Sequence, residues 1–260
     1  MKKNDTMQSL TKRAFLCGFS MLLIGGLSPA ARAANCSLAT VAGSYAVTTL
    51  GQAAGVWTLT VFRITNDGRG NVSGAGAEAI NGTIHSGVTT SGTYTVKADC
   101  SFTSTTTDSL GTTRNIAGAI FQNGGEATGI STDAGTEIQF TAYRQQLTAC
   151  TISSGAGKFV AQIQSPLTPF GPSIAFGQWT VNNKGNGFGT TESNFGGTIV
   201  SGTATVTFSI NSDCTFTSTT ISNGTTGHSF GVGGINQNDV ASVFMGTDSG
   251  WVSLATTYKK

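Results

Sequence analysis

Charge is scarce in this chain: 14 Lys and Arg and 12 Asp and Glu stand among 260 residues. Histidine is scarcer, with only His85 and His228. Neither belongs to a His-x-His or His-Glu-x-x-His spacing, and no close Cys-x-x-Cys pair exists, so no metal centre is expected. No glycine run ends in the Gly-Lys-Ser/Thr that a phosphate loop needs, and no Gly-x-Ser-x-Gly elbow stands between a strand and a helix. Beyond residue 33, no segment joins a helical apolar period to helix caps. These absences remove the common catalytic constellations, and no cofactor is implied.

Four cysteines supply the organising feature. Cys36 and Cys100 are 64 residues apart, and so are Cys150 and Cys214. The flanks repeat as well. The run from Asp99 to Thr106, DCSFTSTT, returns from Asp213 to Thr220 as DCTFTSTT. Thr132 to Gly135 matches Thr247 to Gly250, and Tyr143 matches Tyr258. The chain is therefore one unit copied twice, read as residues 34–148 and 149–260. A period this long points to two globular domains, since solenoid repeats run to roughly 20–50 residues.

Residues 1–33 read as a secretory signal peptide. Lys2, Lys3, Lys12 and Arg13 precede the apolar run from Ala14 to Leu27, and Ala31-Arg32-Ala33 offers small residues for cleavage. The run is shorter than the ~20 residues of a membrane-spanning helix. Its removal takes away Cys17, five basic residues and one acidic residue, leaving 9 basic and 11 acidic side chains. A net charge near −2 argues against nucleic acid as a partner, because that binding needs clustered cations. The expected location is exported: periplasm, cell surface or medium, with no transmembrane segment after cleavage. In such a compartment an even cysteine count reads as disulfides, and the duplication selects Cys36–Cys100 and Cys150–Cys214 from three connectivities.

Each copy reads as all-β. Val206, Phe208 and Ile210 alternate with Thr205, Thr207 and Ser209, and Ile138, Phe140 and Ala142 alternate with Glu137, Gln139 and Thr141. Turn clusters fall at Asn66 to Gly70 and at Asn183 to Gly187. About eight strands per copy suit a small antiparallel barrel, with a barrel-like sandwich as the alternative. A disulfide inside each copy disfavours one sixteen-stranded pore built from both.

Gly43-Ser44-Tyr45, the turn Asp67-Gly68-Arg69-Gly70 and the strand from Gly92 to Cys100 form a pattern of GxY, DGxG and GTYxVxxDC. This pattern resembles a group of secreted bacterial β-domains and extends over nearly all of the chain after the signal. The resemblance implies a lipocalin-like small barrel and no particular chemistry. The second copy departs from it at Phe159, at Lys184 in place of the turn aspartate, and at Val206.

Candidate site residues are few. Glu78 and Glu192 precede Gly82 and Gly197 at similar distances and are the carboxylates best placed to recur. Glu126 and Glu137 lack acidic counterparts, and either one facing inward would single out the first barrel. Trp57, Trp179 and Trp251 are candidates to line an apolar ligand site. Alternating Thr103, Thr105 and Thr107 would order a hydroxyl ladder only if adjacent strands continued it, and the pattern is read on one strand per copy. The sequence thus points to a non-enzymatic module binding a small apolar or extracellular ligand. A surface structural or adhesion protein is the alternative, and an enzyme with a site in one barrel comes third.

Overall fold

The computed structural model describes residues 35–147, 149–236 and 238–260. The expected signal peptide, with Cys17, lies outside the described residues. The first copy forms β1 (Gly43–Ala53), β2 (Val56–Asn66), β3 (Asn71–Ile80), β4 (Thr83–Val96), β5 (Ser101–Asp108), β6 (Thr113–Phe121), β7 (Glu126–Ser131) and β8 (Thr136–Arg144). The second forms β9 (Gly157–Leu167), β10 (Ser173–Val181), β11 (Asn186–Phe195), β12 (Thr198–Ile210), β13 (Thr215–Ser222), β14 (Thr225–Val232), β15 (Val240–Gly246) and β16 (Val252–Lys259). Each strand pairs antiparallel with the next; β8 returns to β1 and β16 to β9. Both copies are closed eight-stranded barrels, which settles the choice between barrel and sandwich.

Local chemistry explains the connections. Asn81-Gly82 and Asn223-Gly224 are two-residue turns with φ of 49° and 79°, then 50° and 79°. Two successive left-handed residues match the twist of the strands they join. In the turn after β2, the Asp67 carboxylate accepts hydrogen bonds from the Arg69 and Asn71 amides at 2.7 and 2.9 Å. The second barrel does the same with Asn182, whose Oδ1 accepts from Lys184 and Asn186 at 2.9 and 3.1 Å. The true counterpart of the turn aspartate is therefore Asn182 rather than Lys184. An amide oxygen keeps the same acceptor geometry without the charge.

Both expected disulfides are formed, each with a Cα–Cα distance of 5.0 Å. Cys100 and Cys214 sit at φ 66° and 70° in matching turns. Asp99 and Asp213 hold those turns by accepting from the amide and hydroxyl of Ser101 and Thr215. The first barrel's disulfide and its short 3-10 turn, Leu38–Val41, lie at one end of the barrel; the Asn81-Gly82 turn lies at the other.

The exposed threonine face is broader than its sequence reading. Thr93 and Thr95 of β4 share a face with Thr103, Thr105 and Thr107 of β5, and Thr113 and Asn115 of β6 continue it. Cross-strand hydrogen bonds join Thr95 to Thr103, Thr105 to Asn115 and Thr107 to Thr113 at 2.8, 2.7 and 2.9 Å. The hydroxyls thus spend part of their hydrogen-bonding capacity on one another.

The two barrels share a core between their outer walls. Ala46, Leu59, Val61, Ala77 and Ala79 of the first barrel cluster with Val232, Val240, Val243, Met245 and Val252 of the second, and with Ile235 between β14 and β15. Strand β2 is consequently buried on both faces from Thr58 to Phe62. Polar contacts fix the register of this docking. Gln145 Oε1 accepts from Arg63 Nε at 3.0 Å, while its Nε2 donates to the Gly233 carbonyl at 2.9 Å. The Gly250 amide donates to the Gly82 carbonyl at 2.9 Å.

A candidate ligand cavity in the first barrel

Strand parity decides what faces inward. Tyr45, Val47 and Thr49 of β1 pair with Ile64, Phe62 and Thr60 of β2, and Thr60 pairs with Glu78 of β3. Residues directly opposite in an antiparallel ladder project to the same face. A bulge at Gly87, φ 70°, then breaks the alternation in β4, so His85 lies opposite Glu78 while Val88 lies opposite Gly76. One extra residue thus keeps both His85 and the downstream Val88, Thr90 and Tyr94 on the inner face.

These side chains line a cavity of about 110 Å³ that is partly open to solvent. Its walls are mainly apolar, with Phe62, Phe102, Ile116 and Phe140 prominent among them. Thr49, Thr60, Thr106 and Arg114 bring polar atoms toward the end away from the disulfide. Near the disulfide, the Tyr45 hydroxyl donates to the Gly124 carbonyl at 2.7 Å, and the Tyr94 hydroxyl accepts from the Gly68 amide at 3.1 Å. Both phenols are thereby anchored at this end of the cavity.

At the polar end, Arg114 bridges two buried carboxylates. Its Nη1 donates to Asp108 Oδ2 at 2.6 Å, and its Nη2 donates to Glu78 Oε1. Both carboxylate side chains have zero exposure. Asp108 Oδ1 also accepts from the Leu110 and Thr112 amides at 2.9 and 3.0 Å, so the aspartate closes the β5–β6 turn as well. Among the described residues, Glu78 Oε2 has no hydrogen-bond partner. Glu78 is pushed up to about 7: burial is the main cause, Arg114 opposes it and Asp108 reinforces it. Arg114 lines the cavity, whereas Glu78 and Asp108 stand behind it.

The raised Glu78 pKa has a defined consequence for stability. Between the ordinary value of 4.5 and about 7, the folded chain holds a proton that the unfolded chain has released. Stability from this group is therefore full below 4.5 and is lost as pH rises through about 7. The steepest slope for one proton is about 1.4 kcal/mol per pH unit. We expect Glu78→Gln to flatten the fall in unfolding free energy across this window, measured by urea titrations of both proteins at several pH values. Parallel profiles would contradict the assignment.

The charged cluster is not duplicated. By register, the counterparts of Glu78, Asp108 and Arg114 are Ser193, Ser222 and Gly227. Glu192, one residue from Ser193, faces outward and is exposed. The second barrel's interior is filled differently. Phe216 packs edge-on against Phe208 and Phe244, with centroids 5.7 and 6.2 Å away. Trp179 lies across Gly177 and Gly189, where an added Cβ would come within 2.7 and 2.9 Å of the indole.

The three tryptophans occupy separate places. Trp57 faces outward from β2 and packs on the shared core between barrels, Trp179 is inside the second barrel, and Trp251 meets Phe170 edge-on at 6.4 Å. Glu126 and Glu137 both face outward, and Glu126 Oε2 accepts from Asn238 of the second barrel at 2.9 Å. Parity places Glu78, Asp108 and Arg114 inward at one end of the first barrel, with His85 opposite Glu78, while Arg144 shares the inner face with Tyr45 at the disulfide end and donates to the Thr40 and Ala42 carbonyls. Sequence reading singled out Glu78 but neither of its partners. A Gly-x-Ser-x-Gly spacing does occur, at Gly227-His228-Ser229-Phe230-Gly231, but within strand β14. There Ser229 points inward to Ser218 at 2.6 Å, while His228 points outward to Asp248 at 2.8 Å. Neighbouring strand residues face opposite sides, so this serine and histidine cannot act together.

The fold therefore defines a tandem pair of eight-stranded antiparallel barrels, each with one disulfide. No protein-family model and no curated protein matches the chain. Similar solved structures include a protein of unknown function from the DUF3598 family of Nostoc punctiforme, at 9% identity and TM-score 0.28, over 86% of this chain and 99% of that one. Kievitone hydratase from Nectria haematococca is also similar, at 9% identity and TM-score 0.29, over 87% of this chain and 92% of that one. Scores this low support no argument about fold or activity.

Proposed function

We propose that the chain is an exported binding protein whose first barrel holds a small, largely apolar molecule. The observation carrying this reading is the cavity of about 110 Å³ inside the first barrel, with mainly apolar walls and a buried polar cluster at one end. An engineered apolar cavity of about 150 Å³ takes up benzene, so the size suits one ring or a short chain. Export agrees with the two disulfides, which persist in oxidising compartments. The lipocalin-like barrel that the sequence resemblance implies, though not any activity, is compatible with a ligand held inside eight strands. Acid–base turnover has less support, because Glu78, though inward, is not among the residues lining the cavity, whereas its partner Arg114 is.

Native mass spectrometry of protein purified from its own export compartment tests the reading. We expect a discrete extra mass that is lost on denaturation. It should be absent from Ala127→Leu, which places extra methyl groups in the cavity wall. An extra mass that persists in this variant would put the ligand elsewhere, and bare protein in both would count against binding.

A surface role rests on a different observation. Ile174, Phe188 and Ile199 point outward from β10, β11 and β12 with 62%, 68% and 70% exposure. Exposed apolar groups on adjacent strands favour contact with another surface.

A further inference from the structure

We infer that the first-barrel cavity selects neutral, oxygen-bearing molecules, such as a phenol, alcohol or ketone, and rejects carboxylates of the same shape. This rests on the ligand-binding reading above and specifies its chemistry. The warrant is the charge and donor balance around Arg114. A lone guanidinium on a cavity wall would invite an anion, because it can hold a carboxylate through two parallel hydrogen bonds. Here two carboxylates with zero exposure already occupy it, Asp108 at 2.6 Å on Nη1 and Glu78 on Nη2. An incoming carboxylate would face these anions beside a mainly apolar wall, where like charges repel more strongly than in bulk water.

Arg114 nevertheless keeps donors. Its two ion pairs use two of the roughly five guanidinium N–H groups. Arg114 also lines the cavity, with Thr106 directly opposite it in register and Thr60 among the lining residues. Together they offer hydrogen bonds to a neutral oxygen without asking it to bring charge. The remaining wall, with Phe62, Phe102, Ile116 and Phe140, suits an aromatic or branched apolar body. The second barrel has Ser193, Ser222 and Gly227 at the three charged positions and lacks this arrangement.

Calorimetric titration of the full chain, freed of any bound molecule, with phenol, toluene and benzoate at about pH 8 tests the inference, because phenol is then neutral and benzoate charged. We expect phenol to bind about tenfold or more tighter than benzoate, with toluene weaker than phenol. Glu78→Gln combined with Asp108→Asn leaves Arg114 as the unpaired charge. It should move the phenol-to-benzoate ratio about tenfold toward benzoate. Benzoate matching or exceeding phenol in the unmodified protein would overturn the inference, whether or not the variant folds. Toluene equal to phenol would overturn the oxygen contact while leaving the cavity as a binding site. Failure of all three probes would remove the ligand-binding reading and this inference with it.

Discussion

Replacing Arg114 with methionine is expected to lower the unfolding free energy by about 3–5 kcal/mol, because two buried carboxylates lose their shared cation. The cost is not the worth of the ion pairs. It is mostly the penalty of leaving Glu78 and Asp108, each with zero side-chain exposure, without a countercharge. The neutral triple variant Glu78→Gln, Asp108→Asn, Arg114→Met should therefore be markedly more stable than Arg114→Met alone. In the Asp108→Asn substitution, the new side-chain amide would still offer an oxygen to the Leu110 and Thr112 amides that Asp108 now engages. The second barrel closes with neutral Ser193 and Ser222 at the two carboxylate positions, so the fold does not require the charges. Chemical denaturation of the wild type, single and triple variants decides this. A single variant as stable as wild type would mean that the cluster is solvated and not a buried site.

The shared core carries the second large effect. Leu59 and Met245 are both fully buried although each lies on the outer wall of its barrel. Leu59→Ala and Met245→Ala should each cost about 2–5 kcal/mol, the range for removing a buried side chain and leaving a cavity. Because both belong to one cluster, their costs should fall short of additive by a measurable amount. We expect the wild-type chain to unfold in one transition seen equally by fluorescence and circular dichroism. The double variant should separate it into two. Two transitions in the wild type, untouched by either substitution, would show that the barrels fold without this contact.

How far these features could be read in the sequence follows from their range. The duplication, the disulfide pairing and the β class depend on spacing and local alternation, which are written directly in the chain. Barrel closure and the shared core depend on which outer faces stay dry. The run from Thr58 to Phe62 mixes Thr with apolar residues and does not announce burial on both sides. Glu78 stood out as a rare carboxylate, but its partner Arg114 is 36 residues away and meets it only across the closed barrel. The Glu192 comparison turned on a single residue: Ser193 takes the inward place, and a one-residue shift moves a side chain to the opposite face. The Gly87 bulge compounds this, since it resets the parity of β4 without any change of composition. The tryptophans were legible as large apolar groups, but their three destinations are set by register and by the docking of the barrels.

We propose that the first barrel's cavity receives a small molecule. The most direct test of this is a crystal structure of the protein grown with phenol. We expect density for one ring between Phe62, Phe102, Ile116 and Phe140, with its oxygen within hydrogen-bond distance of Arg114. An empty or water-filled cavity at saturating phenol, or phenol bound only outside the first barrel, would contradict it.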